Sequence, residues 1–185
     1  VIGRPDKKKI LCREKGYHGS SYLAATVSGT GREHDRRYMD THHDLAIMLP
    51  NINPYIRPTG TSVEEWCNAK ISEMEETILS IGPDQIGCFI AEPILASGGV
   101  IVPPPGYHQR SLELCKKYDI VYISDETVTG FGRLGHWFAS KEIFGIQPDI
   151  ITCAKGLTSG YLPKGAAIIS ESLIDGIKNK DCSQP

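Results

Sequence analysis

The stretch IVYISDETVTGFGRLG, residues 120–135, runs an apolar strand into a Gly-x-Gly-x-x-Gly pattern. Its reading decides the fold. A dinucleotide-binding fingerprint places its first glycine at the end of a strand, opens a helix at its third, and carries an acid about 20 residues on, at the end of the next strand. Here DETVT separates the strand from Gly130, and it brings acidic groups where a pyrophosphate would be repelled. The next apolar segment ends in Lys155 rather than an acid. GFGRLG therefore reads as a structural glycine turn, and a nicotinamide or flavin site is not expected.

Working outward, the same strand-then-helix order recurs. IGCFIAEP at 86–93 reads as a buried strand, and Tyr107, Ser111, Leu114, Cys115 and Tyr118 line one face of a helix that leads into IVYIS at 120–124. After the glycine turn, 136–144 looks helical, and IITCA at 150–154 and GAAIIS at 165–170 look like strands. Upstream, KKKILCREKG at 7–16 has the pattern of a strand ending at a turn. The polar, proline-rich region 28–60 shows no period and reads as a long loop. Ser62 and Glu65 form an S-x-x-E capping box. Val63, Trp66, Cys67, Met74 and Ile78 then recur at helical spacing, so a helix is predicted over 63–80, stopping before Gly82 and Pro83. The end, NKDCSQP at 179–185, reads as a polar tail after a helical start. Apolar strands alternating with helices predict an α/β fold with a mainly parallel sheet flanked by helices. Its ligand site lies beyond the carboxyl ends of the strands. Glu92, Asp125, Glu126 and Lys155 fall at those ends.

The 185 residues are 40% hydrophobic and 23% charged, which suits one compact domain with a substantial core. A net charge of −2 and the lack of a dense Lys/Arg block argue against nucleic acid as a partner. No apolar run reaches the roughly 18 residues of a membrane helix, and the start lacks signal-peptide order. A cytoplasmic location is the default expectation. Cysteines at 12, 67, 88, 115, 153 and 182 form no C-x-x-C pair and read as reduced core residues. His42, His43 and Asp44 are adjacent on an extended segment, where neighbouring side chains point apart, so no metal site is expected.

An Asp at the end of one buried strand and a Lys at the end of the next would lie close together on neighbouring strands. A lysine in a partly desolvated crevice can lose its proton and attack a carbonyl to form a Schiff base, and a buried Asp can hold a ring nitrogen protonated. These are the two protein groups that pyridoxal phosphate chemistry asks for. An ion pair at the sheet edge would give the same spacing, and the residues alone leave both readings open.

YHGSSY at 17–22, AEPILASGGVIVPPPGYH at 91–108, SDETVTGFGRLGHWFA at 124–139 and PDIITCAKGLTSGYLPKGA at 148–166 together resemble the class III aminotransferases. That family uses pyridoxal 5'-phosphate on the fold-type-I scaffold. The resemblance covers about 17–170 and implies that the whole chain is the central part of the cofactor-binding large domain. KGLTSGYLP is most similar to the branch that moves amino groups from ω-amino acids or amines to pyruvate. By this resemblance Lys155 forms the Schiff base and shuttles the proton, and Asp125 pairs with the pyridinium nitrogen. Tyr17 lies against one face of the ring with His18 beside it, and Thr127 meets the other face, where the family usually has Val. Val128 stands near the phenolic oxygen, where ornithine- and γ-aminobutyrate-using relatives have Gln; this favours the pyruvate branch. Glu92 is placed near the substrate side, and Glu126 is read as a structural partner that orders the turn.

The resemblance also implies a homodimer or larger assembly for the parent enzyme. It puts a phosphate-binding Gly/Ser turn before residue 1, and a partner-subunit Thr, the small domain and a substrate-binding arginine after residue 185. The alternatives are a non-catalytic α/β fragment of such an enzyme and another class III reaction, such as an aminomutase or a decarboxylase.

Overall fold

The apolar segments on either side of the glycine turn pair side by side. In the computed structural model, which describes residues 3–30 and 39–178, they form one six-stranded sheet in the order β2-β1-β3-β4-β5-β6. The strands are β1 (Lys9–Arg13), β2 (Ala46–Leu49), β3 (Ile86–Ala91), β4 (Val121–Asp125), β5 (Ile150–Cys153) and β6 (Ala166–Ile169). Strands β1 to β5 pair in parallel, and β6 runs antiparallel to β5. The sheet is thus mainly parallel and flanked by helices, as the sequence predicts.

The helices are α1 (Tyr22–Thr26), α2 (Val63–Ile81), α3 (Tyr107–Lys117), α4 (Ala139–Glu142) and α5 (Glu171–Lys178). The predicted capping box starts α2: Ser62 Oγ accepts the Glu65 N–H, and the Glu65 carboxylate accepts the Ser62 N–H. At its other end Gly82, with φ 96°, turns the chain out and donates its N–H to Ile78 O. Helix α2 packs on α3, and α3 on β4. They bury Met74, Ile78 and Cys115 against Leu11, Phe89 and Tyr122. Phe89 and Tyr122 meet edge to face at 5.4 Å.

One polar chain crosses this core. Tyr122 OH lies 2.9 Å from His108 Nδ1, and His108 Nε2 lies 2.9 Å from Pro93 O. Burial pushes His108 down to about 4, so the ring is neutral; Nε2–H donates to Pro93 O and Nδ1 accepts from the tyrosine. The chain thereby fixes the exit of β3, next to Glu92.

The structure departs from the sequence reading in three places. The region 28–60 is not all loop: it contains β2 and a 3-10 turn at Pro54–Ile56, while 31–38 lie outside the described residues. AIML is too short to show a period and lies at the sheet edge, paired with β1. A second helix, α1, also escaped the reading. The segment 136–144 holds only the single helical turn α4, because the backbone is left-handed at Gly135 and extended at Phe138. Cys12, Cys67, Cys115 and Cys153 are buried free thiols and Cys88 is a half-buried one; Cys182 and the tail 179–185 lie outside the described residues. Among the described residues no cluster could hold a metal ion, and no helix is long and apolar enough to cross a membrane.

Candidate active site

Parallel pairing brings the carboxyl ends of β3, β4 and β5 together. Ala91 pairs with Ser124 and Asp125 with Thr152, so Glu92, Asp125 and Lys155 leave the sheet along one edge. The loop after β1 adds Tyr17 and His18 to that edge.

Glu92 ties the loop down. It is buried; its Oε1 accepts the Tyr17 N–H at 2.8 Å and its Oε2 accepts the Ala96 N–H at 3.0 Å. Burial pushes its carboxyl up, against the pull of those two amides. The His18 N–H donates to Ser28 Oγ at 2.8 Å, and Ser28 in turn donates to Ala24 O. Half-buried Tyr17 places its hydroxyl 2.9 Å from Ser20 Oγ.

Asp125 ends β4 and is 6% exposed. His18 Nδ1 lies 2.8 Å from its Oδ2, and the Thr127 N–H donates to Oδ1 at 3.1 Å. Burial alone pushes this carboxyl up, but the hydrogen bond and charge of His18, helped by Thr127, hold it below its ordinary value. Asp125 is therefore an anion at the mouth of the sheet.

Lys155 follows β5 through Ala154 and opens the 3-10 turn Lys155–Leu157. Its φ of 40° is left-handed, a conformation that non-glycine residues adopt at a cost and that concentrates at functional sites. The side chain is exposed and lines a crevice of about 550 Å³ that Thr127, Val128, Arg133 and Gly156 share. Asp125 Oδ2 is taken by His18 Nδ1, and among the described residues no ion pair joins Asp125 to Lys155. The sheet-edge pair that the spacing left open is not formed.

Glu126 holds the turn from inside. It is fully buried; Oε1 accepts from the N–H and hydroxyl of Ser140, and Oε2 from the Ala139 N–H and the Thr129 hydroxyl. Its own N–H donates to Thr152 O on β5. GFGRLG is a folded-back turn, with Phe131 N–H on Trp137 O and Gly132 N–H on His136 O, and no helix opens at Gly135.

Tyr17, His18, Glu92, Asp125 and Thr127 thus form one bonded cluster, and Thr127, Val128 and Lys155 share the open crevice beside it. Sequence reasoning missed Ser28 and Arg13. The signal for Arg13 was available: a charge at the end of an apolar strand, KILCR, which the sheet buries.

A family model described as Aminotransferase class-III matches residues 2–182. Gamma-aminobutyrate transaminase 1, mitochondrial, of Oryza sativa subsp. indica is 40% identical over 180 residues, 97% of this chain and 34% of that protein. A solved structure from the directed evolution of transaminases by ancestral reconstruction superposes with a TM-score of 0.90 at 39% identity, covering 96% of this chain and 38% of its own. The omega transaminase of Pseudomonas jessenii in complex with PMP superposes with a TM-score of 0.89 at 36% identity, covering 96% and 39%. The chain spans about a third of the length of the curated relative.

Proposed function

Because the chain belongs to the class-III aminotransferases, with the fold of the fold-type-I transaminases, we propose that it forms part of the cofactor-binding large domain of a pyridoxal phosphate-dependent transaminase. The observation that carries this reading is Asp125, held as an anion by His18 and Thr127 at the edge of the crevice that Lys155 lines.

The residues present fit the cofactor. A pyridinium needs a buried carboxylate that stays ionised, and Asp125 is one. A carbonyl needs a primary amine free to attack, and the Lys155 amine is exposed and outside any ion pair among the described residues. Tyr17 would cover one face of the ring, Thr127 the other, and Val128 would stand near the phenolic oxygen. When bound, pyridoxal phosphate supplies an electrophilic carbonyl and a ring that accepts the electron pair left by a departing proton.

The chain's own residues do the rest. Asp125 would hold the proton on the ring nitrogen, and His18 and Thr127 keep that carboxylate oriented. Lys155 Nζ would hold the cofactor through its carbonyl carbon, with loss of water, and is the base placed to take a proton from the amine-bearing carbon of the donor. Glu92 acts on the loop: its bonds to Tyr17 and Ala96 set where the aromatic ring can stand.

For the donor we favour an ω-amino acid or amine, in keeping with the similarity to a γ-aminobutyrate transaminase and an omega transaminase. Pyruvate as acceptor rests on KGLTSGYLP and on Val128. The parent enzyme would work as a homodimer or larger.

The test is to add pyridoxal phosphate, reduce with borohydride and map the modified peptide by mass spectrometry. A single pyridoxyl group on Lys155, lost in Lys155→Ala, is the expected result. Labelling scattered over surface lysines would overturn the reading. With the full-length protein, alanine formed from pyruvate but no glutamate from 2-oxoglutarate would support the acceptor; the reverse would sink it.

A further inference from the structure

Close to the His18–Asp125 contact, two buried polar atoms have no hydrogen-bond partner in the protein: Arg13 Nε and His18 Nε2. Arg13 is 3% exposed, and so is the side chain of His18. Both residues line one small space of about 10 Å³, walled also by Gly16, Glu92 and His108. A single water needs roughly that volume and two to four polar partners.

The partners are held in place. Arg13 Nη1 donates to Pro50 O at 2.6 Å, Nη2 donates to Tyr107 OH, and the guanidinium lies 4.9 Å from the Tyr107 ring centroid. The plane of the group is therefore fixed, and with it the direction of the Nε–H. His18 Nδ1 is committed to Asp125 Oδ2. An ionised carboxylate only accepts, so Nδ1 carries the hydrogen, and in a neutral ring Nε2 is left as an acceptor. Glu92 accepts one amide on each oxygen and keeps spare lone pairs.

We propose that this cavity is a one-water site, and that Arg13, acting through the water, fixes His18 as the Nδ1–H tautomer that donates to Asp125. The water accepts from Arg13 Nε–H and donates one hydrogen to His18 Nε2 and the other toward the Glu92 carboxylate. Arg13 is a positioning residue, since it touches neither cofactor nor substrate. The water site stands on these side chains alone; its bearing on catalysis rests on reading Asp125 as the anchor of the ring nitrogen.

Gly16 provides a way to close the site. A Cβ there would come 3.2 Å from His18 Nε2 and 3.0 Å from Arg13 O, so Gly16→Ala puts a methyl where the water would sit. The experiment pairs a high-resolution crystal structure of the intact protein, without added cofactor, with nitrogen-15 NMR of its histidines at neutral pH. The expected result is an ordered water within hydrogen-bonding distance of both Arg13 Nε and His18 Nε2, with His18 protonated at Nδ1 and bare at Nε2. Gly16→Ala should lose the water and shift the Nε2 resonance, and Arg13→Met should leave His18 a mixture of tautomers. If Arg13→Met does not fold, Gly16→Ala and the unmodified protein decide. No ordered water, a hydrogen on Nε2, or His18 resonances unmoved in Gly16→Ala would each overturn the proposal. Failure to trap a pyridoxyl group on Lys155 in a protein that shows the water would sink the proposed function and leave this inference standing.

Discussion

His18 Nδ1 lies 2.8 Å from Asp125 Oδ2, and this contact fastens the loop after β1 to the end of β4. It also decides the charge of the site, because burial pushes Asp125 up while His18 and Thr127 together hold it below its ordinary value. A carboxyl whose value is lower folded than unfolded stabilises the fold fully above its unfolded value of about 3.9, and loses that contribution as the pH falls toward the folded one. His18→Phe removes the main donor and leaves burial opposed by Thr127 alone. We expect it to cost about 3 kcal/mol at neutral pH, as for a buried charged acceptor deprived of a hydrogen-bond donor. Because folded Asp125 would then bind its proton more readily, the variant should lose less of its remaining stability on acidification than the unmodified protein does. Urea unfolding over a pH series reads both, and superimposable curves for the variant and the unmodified protein would refute the account.

Thr127 holds Asp125 Oδ1 through its backbone N–H, at 3.1 Å, which any residue but proline supplies. Thr127→Val should therefore keep that hydrogen bond and change stability by no more than about 1 kcal/mol, as expected for a half-buried side chain outside the core. The Thr127 hydroxyl also helps hold the carboxyl down, so Asp125 should titrate at a higher pH in the variant by carboxyl-carbon NMR; an unmoved Asp125, or a larger loss in urea, would contradict this.

Much of this was legible in the chain itself. The strands β3, β4 and β5 are apolar runs bounded by turns, α2 announces itself by its capping box, and the strand ends expose Asp125 and Lys155 as chemistry-bearing positions. The bond from Tyr17 to Glu92 spans 75 residues and uses a backbone amide, which carries no sequence signature. The partner of Asp125 is equally remote. The motif YHG names His18, but only the parallel pairing of β1 with β3 and of β3 with β4 brings it within reach of the strand end. The reversal of β6 was hidden for another reason: GAAIIS is apolar, and an apolar run reads the same in either direction.

Gly98 meets the exit of β1 at close quarters. A Cβ there would lie 2.2 Å from Lys15 O and 2.7 Å from Lys15 Cβ. Backbone cannot yield as a flexible side chain would, and the loop carrying Gly98 is tied across its base by paired Leu95 and Ile101 amides. Lys15 stands two residues before Tyr17, so Gly98→Ala should both destabilise the fold, by about 1–3 kcal/mol for overpacking, and displace Tyr17. Urea unfolding checks the first effect, and loss of borohydride trapping at Lys155 checks the second. Alanine tolerated on both counts would mean the approach is looser than described.

Burial pushes the Cys12 thiol up to about 12, and Cys115, on α3, is pushed up by burial as well. The thiolate is the reactive form. At mildly alkaline pH both should resist an aromatic disulfide reagent in the native protein and react only as the chain unfolds. Peptide mapping after timed labelling tests this, and rapid native modification of either one would contradict it.

Glu126 gives the sharpest separation between a structural and a reacting carboxylate. Four donors converge on it from Thr129, Ala139 and Ser140, and none of its surface reaches solvent. The segment it closes, 127–138, carries Thr127 and Val128 into the crevice. Glutamine has the same shape but offers one oxygen and one NH2 group. The hydroxyls of Thr129 and Ser140 can rotate to accept from that NH2, whereas the Ala139 and Ser140 N–H groups cannot. One backbone N–H must then face another donor, at about 1–3 kcal/mol, and the charge-assisted bonds weaken besides. Glu126→Ala strands both amides and opens a cavity, so it should cost more than Glu126→Gln. Ser140→Ala removes a single hydroxyl that also lies 2.8 Å from Ser124 Oγ, and should cost least, about 1 kcal/mol. Urea midpoints should fall in that order, with trapping at Lys155 falling in parallel as the segment loosens. A Glu126→Gln protein that is fully stable yet no longer trapped would instead move Glu126 from the scaffold into the chemistry.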